Sequence, residues 1–306
     1  MDLGPMQNLS LDVSALGQEP DVSVGSNVHQ IDELLSTMPQ AGEVKTTSNP
    51  DGREVLTLET YNGRLAVLQQ AWELLTEGMM ISGAVTTSAG MRRSVTNLSR
   101  RMVGTFCTRL GASIPWRTTP WGPSDDGVCT MTDQSVVLST AMFWLPVPCN
   151  RVVEFLCKIQ FRLKWDLLFG STVEVLEEMS SIGSDHGRHV WMLRDENKQM
   201  TMLQECFNHA SGSLLVYSML DNASGNKVVN GEDTSELDLL PWGFTILPDD
   251  RPSASSPIRS PPAGSLVTVA FQVPGSHLTD LNAEPVPTVN RLLATTVEQI
   301  KAVFSH

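Results

Sequence analysis

At 306 residues and 41% hydrophobic content the chain is long enough for a sizeable core, and its formal net charge of −13 argues against non-specific binding to phosphate backbones outside a local basic patch. No run approaches the ~18 consecutive apolar residues of a membrane helix, and the opening MDLGPMQNLS has neither the basic start nor the apolar stretch of a signal peptide. The five cysteines, Cys107, Cys129, Cys149, Cys157 and Cys206, are odd in number and share no C-x-x-C spacing, which predicts free thiols in a reducing compartment.

Residues 1–50 scatter Pro, Gly, Ser and Asn with little periodicity and read as a disordered segment. Residues 51–90 read as a short helix and linker. Leu58, Tyr61, Leu65, Leu68, Trp72, Leu75 and Met79 step by three and four, the spacing of a coiled-coil seam. Gly63 interrupts that pattern and the flanking positions lack paired charges, so a helix packed on its own domain is favoured over a dimerising zipper. Arg92 to Leu110 is a second amphipathic helix with the stripe Val95, Leu98, Met102, Phe106 and Leu110. Its five arginines, Arg92, Arg93, Arg100, Arg101 and Arg109, admit two readings: a dock for an anion or an acidic partner, or a solvated helix face whose arginine stems cover apolar surface.

The stretch from Ser135 to Asp166 combines a strand with a helix. Val136 to Val147 is β-branched and aromatic and reads as a buried strand ended by Pro146 and Pro148. Val152, Val153, Leu156 and Ile159 then follow helical spacing, and a turn at Trp165-Asp166 leads to further strands. Strand candidates follow at Thr172 to Glu177, His189 to Arg194, Met200 to Cys206 and Ser213 to Leu220, with Asn222 to Asn226 among the turn clusters between them. Leu239 to Leu247 and Ser265 to Val273 are two more, separated by a Pro- and Ser-rich loop at 249–264 that reads as mobile. Ser256-Pro257 and Ser260-Pro261 in that loop have the form of proline-directed phosphorylation sites.

The last helix runs from near Pro287 to Phe304 with Val289, Leu293, Val297, Ile300 and Phe304 on one face. Seven or so antiparallel strands and this helix predict an α+β helix-grip fold, a curved sheet wrapped round a long C-terminal helix. An apolar cavity under such a grip would be lined by Val289, Leu293, Ile300 and Trp165. No catalytic motif occurs, and Glu177-Glu178, as strand neighbours, face opposite ways. The Asp185-His186-Gly187-Arg188-His189 run lacks a full ligand set for zinc, so neither an enzyme nor a metal or other cofactor is expected.

Five ordered blocks carry a family resemblance: MRRSVTNLSRRMVGTFC (Met91 to Cys107), Val137 to Asp166, LLPWGFTILPD (Leu239 to Asp249), SLVTVAFQV (Ser265 to Val273) and TVNRLLATTVEQIKA (Thr288 to Ala302). Together they resemble the region after the START domain in plant class IV homeodomain–leucine zipper proteins, over about residues 91–306. The resemblance implies a START-like, START-associated domain and a nuclear regulator of transcription with protein partners. A lipid ligand is the alternative. Residues 1–90 show nothing similar to the homeodomain, zipper or START portions of that family, so direct DNA binding is not expected of this chain. Trp242 stands where the family usually has a small residue. The oligomeric state is left open.

Overall fold

The computed structural model describes residues 47–48, 54–55, 58–78, 82–83, 88–111, 117–119, 128–133, 136–167, 173–180, 187–195, 199–248, 264–274 and 285–304. They fall within one compact unit, Ala41–His306. Most of the N-terminal segment, the 249–263 part of the Pro/Ser loop with Ser256 and Ser260, and Asp185-His186 lie outside the described residues.

Among the described residues twelve strands form. The pair β1 (Thr47–Ser48) and β2 (Glu54–Val55) stands alone, flanking the Asn49 to Gly52 turn signal. The other ten make one antiparallel sheet. Its body is seven long strands: β6 (Val136–Leu145), β7 (Val173–Ser180), β8 (Gly187–Asp195), β9 (Met200–His209), β10 (Gly212–Asp221), β11 (Trp242–Pro248) and β12 (Ser265–Pro274). Strands β7 to β12 pair in sequence order, and β6, the first long strand, closes against β12, the last. The short β3 (Ser82–Gly83) extends the β7 edge, while β5 (Val128–Asp133) and β4 (Arg117–Thr119) extend the β6 edge. This is the expected α+β helix grip.

Alternation along the strands gives the sheet two different faces. The inner face carries Trp191 and Leu193, Met202, Gln204 and Cys206, Leu215 and Tyr217, Phe244 and Ile246, and Val267, Val269 and Phe271. The long helix α6 (Pro285–Phe304) lies over β6 and β12 on this face, and α3 (Cys149–Cys157) covers β9 to β11. A single turn, α4 (Ile159–Arg162), follows α3 after a break at Lys158, whose ψ of 120° is extended. Three helices cover β9, β10 and their neighbours on the outer face: α1 (Leu58–Gly78), α2 (Ala89–Gly111) and α5 (Asn222–Val229).

Two expectations are corrected here. Gly63 does not interrupt α1, which runs through it unbroken, because burial of Tyr61, Leu65, Leu68 and Trp72 against the sheet outweighs the ~1 kcal/mol that glycine costs a helix. The Asn222 to Asn226 cluster is not a turn but the first half of α5. The Asp221 carboxylate accepts from the Ser224 backbone N–H at 2.7 Å, so the polar run is a capped helix start.

The seam reading of α1 resolves toward its own domain. Tyr61 shares a 3.0 Å hydrogen bond with Thr245 on β11, and Arg64 donates to the Pro248 carbonyl at 2.9 Å. Gly243 on β11 serves close packing of the neighbouring layers: a Cβ there would meet the Leu215 carbonyl at 2.4 Å and the Phe106 ring of α2 at 3.1 Å.

Candidate functional site

The interior under the grip is built from large apolar side chains. Val289, Leu293, Val297 and Ile300 of α6 are buried in one cluster with Phe143, Val267, Val269 and Phe271 of the sheet and Val152, Phe155 and Leu156 of α3. At the end of α6, Phe304 meets Phe155 edge-on with centroids 5.4 Å apart, and Phe155 stacks on Phe161 at 5.9 Å.

Inside this apolar volume lies a polar centre. Arg162, only 2% exposed, is carried inward by the single turn α4. Its Nε donates to Asp166 Oδ2 at 2.8 Å, and its Nη1 donates to Gln204 Oε1 on β9. The guanidinium carbon stands 4.3 Å from the Tyr217 ring centroid and 4.8 Å from that of Trp165, so two aromatic faces flank the cation. Trp165 packs edge-on against Phe244 at 5.2 Å and Tyr217 at 6.1 Å. Burial first, and the Asp166 carboxylate second, push the Tyr217 phenol well above its ordinary range, partly offset by Arg162. The Trp165 Nε1–H is buried without a hydrogen-bond partner, an unusual state for an indole that is fully enclosed.

The α3–α4 junction is fixed to the sheet beside this centre. Gln204 Nε2 donates to the Cys157 carbonyl at 3.4 Å, and Cys157 is disulfide-bonded to Cys206 of β9 across a Cα–Cα distance of 6.3 Å. The expectation of free thiols is therefore corrected for these two; Cys107 and Cys149 take part in no disulfide among the described residues. The two partners are 49 positions apart, so only the packing of α3 on β9 brings them within bonding range, and an odd total does not exclude one pair.

The outer face of β9 carries a second buried charge group. The Glu205 carboxylate accepts from Arg188 Nε at 2.7 Å and Nη2 at 3.0 Å, from Trp72 Nε1 of α1 and from Ser99 Oγ of α2. Four of the five α2 arginines turn to groups of this chain. Arg100 donates to the Thr76 carbonyl at 2.9 Å, Arg101 to the Thr234 and Leu237 carbonyls, and Arg109 to Gln272 Oε1. Arg92 lies 3.9 Å from Glu177. Glu177 is buried and Glu178 exposed, as strand alternation requires.

The four named lining residues, Val289, Leu293, Ile300 and Trp165, all lie in one interior cluster. Arg162, Asp166, Gln204 and Tyr217 were missed. The available signal was the IQFRLKWD run, where opposite charges four apart bracket a tryptophan at a helix end. Gln204 leaves a fainter one, as a polar residue between Met202 and Cys206 on a strand face that is otherwise apolar. Trp242, the large residue where a small one was expected, stacks on Phe271 with centroids 4.4 Å apart and donates to the Gln272 carbonyl at 2.6 Å.

Residues 88–306 match the family model described as PDF2-like, C-terminal domain. The rice (Oryza sativa subsp. japonica) homeobox-leucine zipper protein ROC8 is 40% identical over 277 residues, covering 79% of this chain and 39% of its own length. The Arabidopsis thaliana homeobox-leucine zipper proteins HDG11 and ANTHOCYANINLESS 2 are each 36% identical, covering 73% and 78% of this chain and 34% and 33% of their own lengths. The chain thus spans between a third and two fifths of the curated relatives it matches. Among solved structures, human STARD10 aligns over 64% of this chain and 77% of its own at 13% identity and a TM-score of 0.36. With its match running from the start of α2 to the end of the chain, the protein belongs to the PDF2-like C-terminal domain family, the region it shares with homeobox-leucine zipper proteins.

Proposed function

We propose that this chain is a non-enzymatic regulatory and interaction domain of a nuclear homeodomain-type transcriptional regulator, acting through protein partners and not through contact with DNA. The observation that carries the reading is the family match over residues 88–306, shared with relatives named for a homeobox and a leucine zipper. It is supported by the charge distribution: four of the five α2 arginines have partners within this chain, in a protein of net charge −13. Among the described residues no helix is long and apolar enough to cross a membrane. The test is a fusion of residues 41–306 to an unrelated DNA-binding domain at a reporter. A change in reporter output, with no gel shift of family target DNA by the unfused chain, is expected. An unchanged reporter, or a sequence-dependent nanomolar shift at physiological salt, overturns the reading.

A second reading, an apolar-ligand module, is favoured by one specific observation: the Trp165 indole N–H, buried and without a hydrogen-bond partner in the grip interior. A lipid or similar molecule bearing a single oxygen acceptor would complete it. Native mass spectrometry of the purified chain should then show a co-purifying small molecule whose occupancy falls in Trp165→Phe, which keeps an aromatic ring there and deletes the N–H donor. A bare mass in the parent protein sinks this reading and leaves the first untouched.

A further inference from the structure

The Cys157–Cys206 bond sits where the chain changes direction. Cys157 ends α3, Lys158 breaks the helix, and within the next eight residues come Arg162, Trp165 and Asp166. The disulfide therefore clamps the α3–α4 hinge to the middle of β9, and Gln204, two residues from Cys206, bridges the hinge carbonyl and Arg162. Directly opposite Cys206 on β8 stands His189, on the same face of the sheet. Its ring stacks on Trp191 at 5.4 Å and 13°, and its Nδ1 is buried with no hydrogen-bond partner. The strand member of the cysteine pair and a histidine whose Nδ1 has no hydrogen-bond partner thus share one register position.

We propose that Cys157 and Cys206 form a site of reversible oxidation by hydrogen peroxide, with His189 taking the Cys206 thiol proton, and that the bond decides whether the α3–α4 hinge is held on the sheet. The Cys206 thiolate attacks one peroxide oxygen, the O–O bond breaks, and the departing hydroxide takes up a proton to leave as water. The resulting sulfenic acid is attacked by the Cys157 sulfur; the S–S bond forms, the S–O bond breaks, and a second water leaves. Two thiols and one peroxide give one disulfide and two waters, the two electrons passing from the sulfurs to the peroxide oxygens. Return to the dithiol consumes two glutathione thiols and yields glutathione disulfide through a mixed disulfide. That the bond is a transient one rests on the nuclear placement proposed above, because disulfides in glutathione-buffered compartments are redox-sensing more often than structural. The chemistry itself is measured on purified protein and stands or falls independently of that placement.

The test uses the full chain, reduced and then exposed to hydrogen peroxide. Peptide mass mapping should find the Cys157 and Cys206 peptides linked, with Cys107 and Cys149 still open to alkylation. A glutathione buffer at cytosolic poise should undo the link. Oxidation should raise Tm by roughly 5–10 °C and slow tryptic cleavage after Lys158 and Lys164, both exposed at the hinge. His189→Gln should slow peroxide-driven linking on the order of tenfold while the reduced protein keeps its circular dichroism and Tm. Absence of the link under peroxide, a link that glutathione leaves intact, or equal cleavage rates in the two states overturns the switch. An unchanged linking rate in His189→Gln removes the histidine from it.

Discussion

Glu205 shows what a single buried carboxylate organises. Four donors from three elements converge on it, Arg188 twice, Trp72 and Ser99, and both Arg188 and Glu205 are almost fully buried. Removing the carboxylate strands a guanidinium in a low-dielectric site, so Glu205→Ala should cost on the order of 3–5 kcal/mol in urea denaturation. Ser99→Ala, which removes one neutral donor, should cost nearer 1 kcal/mol; equal effects would mean that Arg188 finds another partner. None of this could be read beforehand, because the partners lie 17, 106 and 133 positions away and only the fold brings them together. The chain's two tyrosines give a second residue-scale prediction. Burial first raises Tyr61 to about 12, against the counteracting bond to Thr245, and Tyr217 is raised well above its usual range as well. Cys107 is pushed up to about 12, by burial and then by Glu73 and Glu205. A raised folded pKa on an acid means that the unfolded chain loses its proton first. The native state binds more protons between the ordinary values near 9 to 10 and about 12, and stability falls with rising pH across that window. Tyrosinate absorbance of the native protein should therefore stay flat through pH ~10 and appear together with cooperative unfolding above it. A smooth titration near 10 without unfolding would place the phenols in water.

Helix α6 was the most legible element. Its apolar positions repeat every three or four residues, and Val289, Leu293, Val297 and Ile300 are all buried on the face that period selects. Leu293, fully buried among large neighbours, should cost on the order of 2–5 kcal/mol when truncated to Ala. Glu298 lies on the exposed face, and Glu298→Ala should change stability by less than ~0.5 kcal/mol. Comparable small effects from the two would mean that the helix rests loosely on the sheet. Strands were legible for the same reason: alternation and turn residues are local signals, and β8 to β12 fall where they point. Helix α5 was not. Asn, Ser and Gly favour turns in isolation, and what makes Asn222–Val229 helical is the Asp221 cap together with packing on β9 and β10. Within the site, Trp165 was visible as a large aromatic at a turn. Its neighbours Gln204 and Tyr217 were hidden inside strand runs, where a polar side chain reads as facing solvent until the layer above it is known.

At the scale of the whole molecule, the family match begins at residue 88 but the packing does not. The sequence places the domain at 91–306 because the resemblance lies there; helix α1, outside it, carries no family motif to announce its role. Yet Tyr61, Leu65, Leu68 and Trp72 of α1 are each no more than 4% exposed, covering the outer face of the sheet beside α2. At about 1.5–3 kcal/mol for each fully buried large apolar side chain, the contribution of these four is roughly 6–12 kcal/mol. Net domain stability is only about 5–15 kcal/mol, so the helix is comparable to the whole margin. Its loss also removes the Trp72 donor from Glu205 and the Tyr61 partner from Thr245, both in buried positions. A chain cut to Ser88–His306 should therefore be unfolded, or lose most of its cooperative transition, whereas Ala41–His306 should melt like the parent. Supplying residues 41–87 as a separate peptide should restore part of the transition if α1 docks as a unit. Should Ser88–His306 melt within a few degrees of the parent, the apolar contacts of α1 contribute little, and the matched region is self-sufficient.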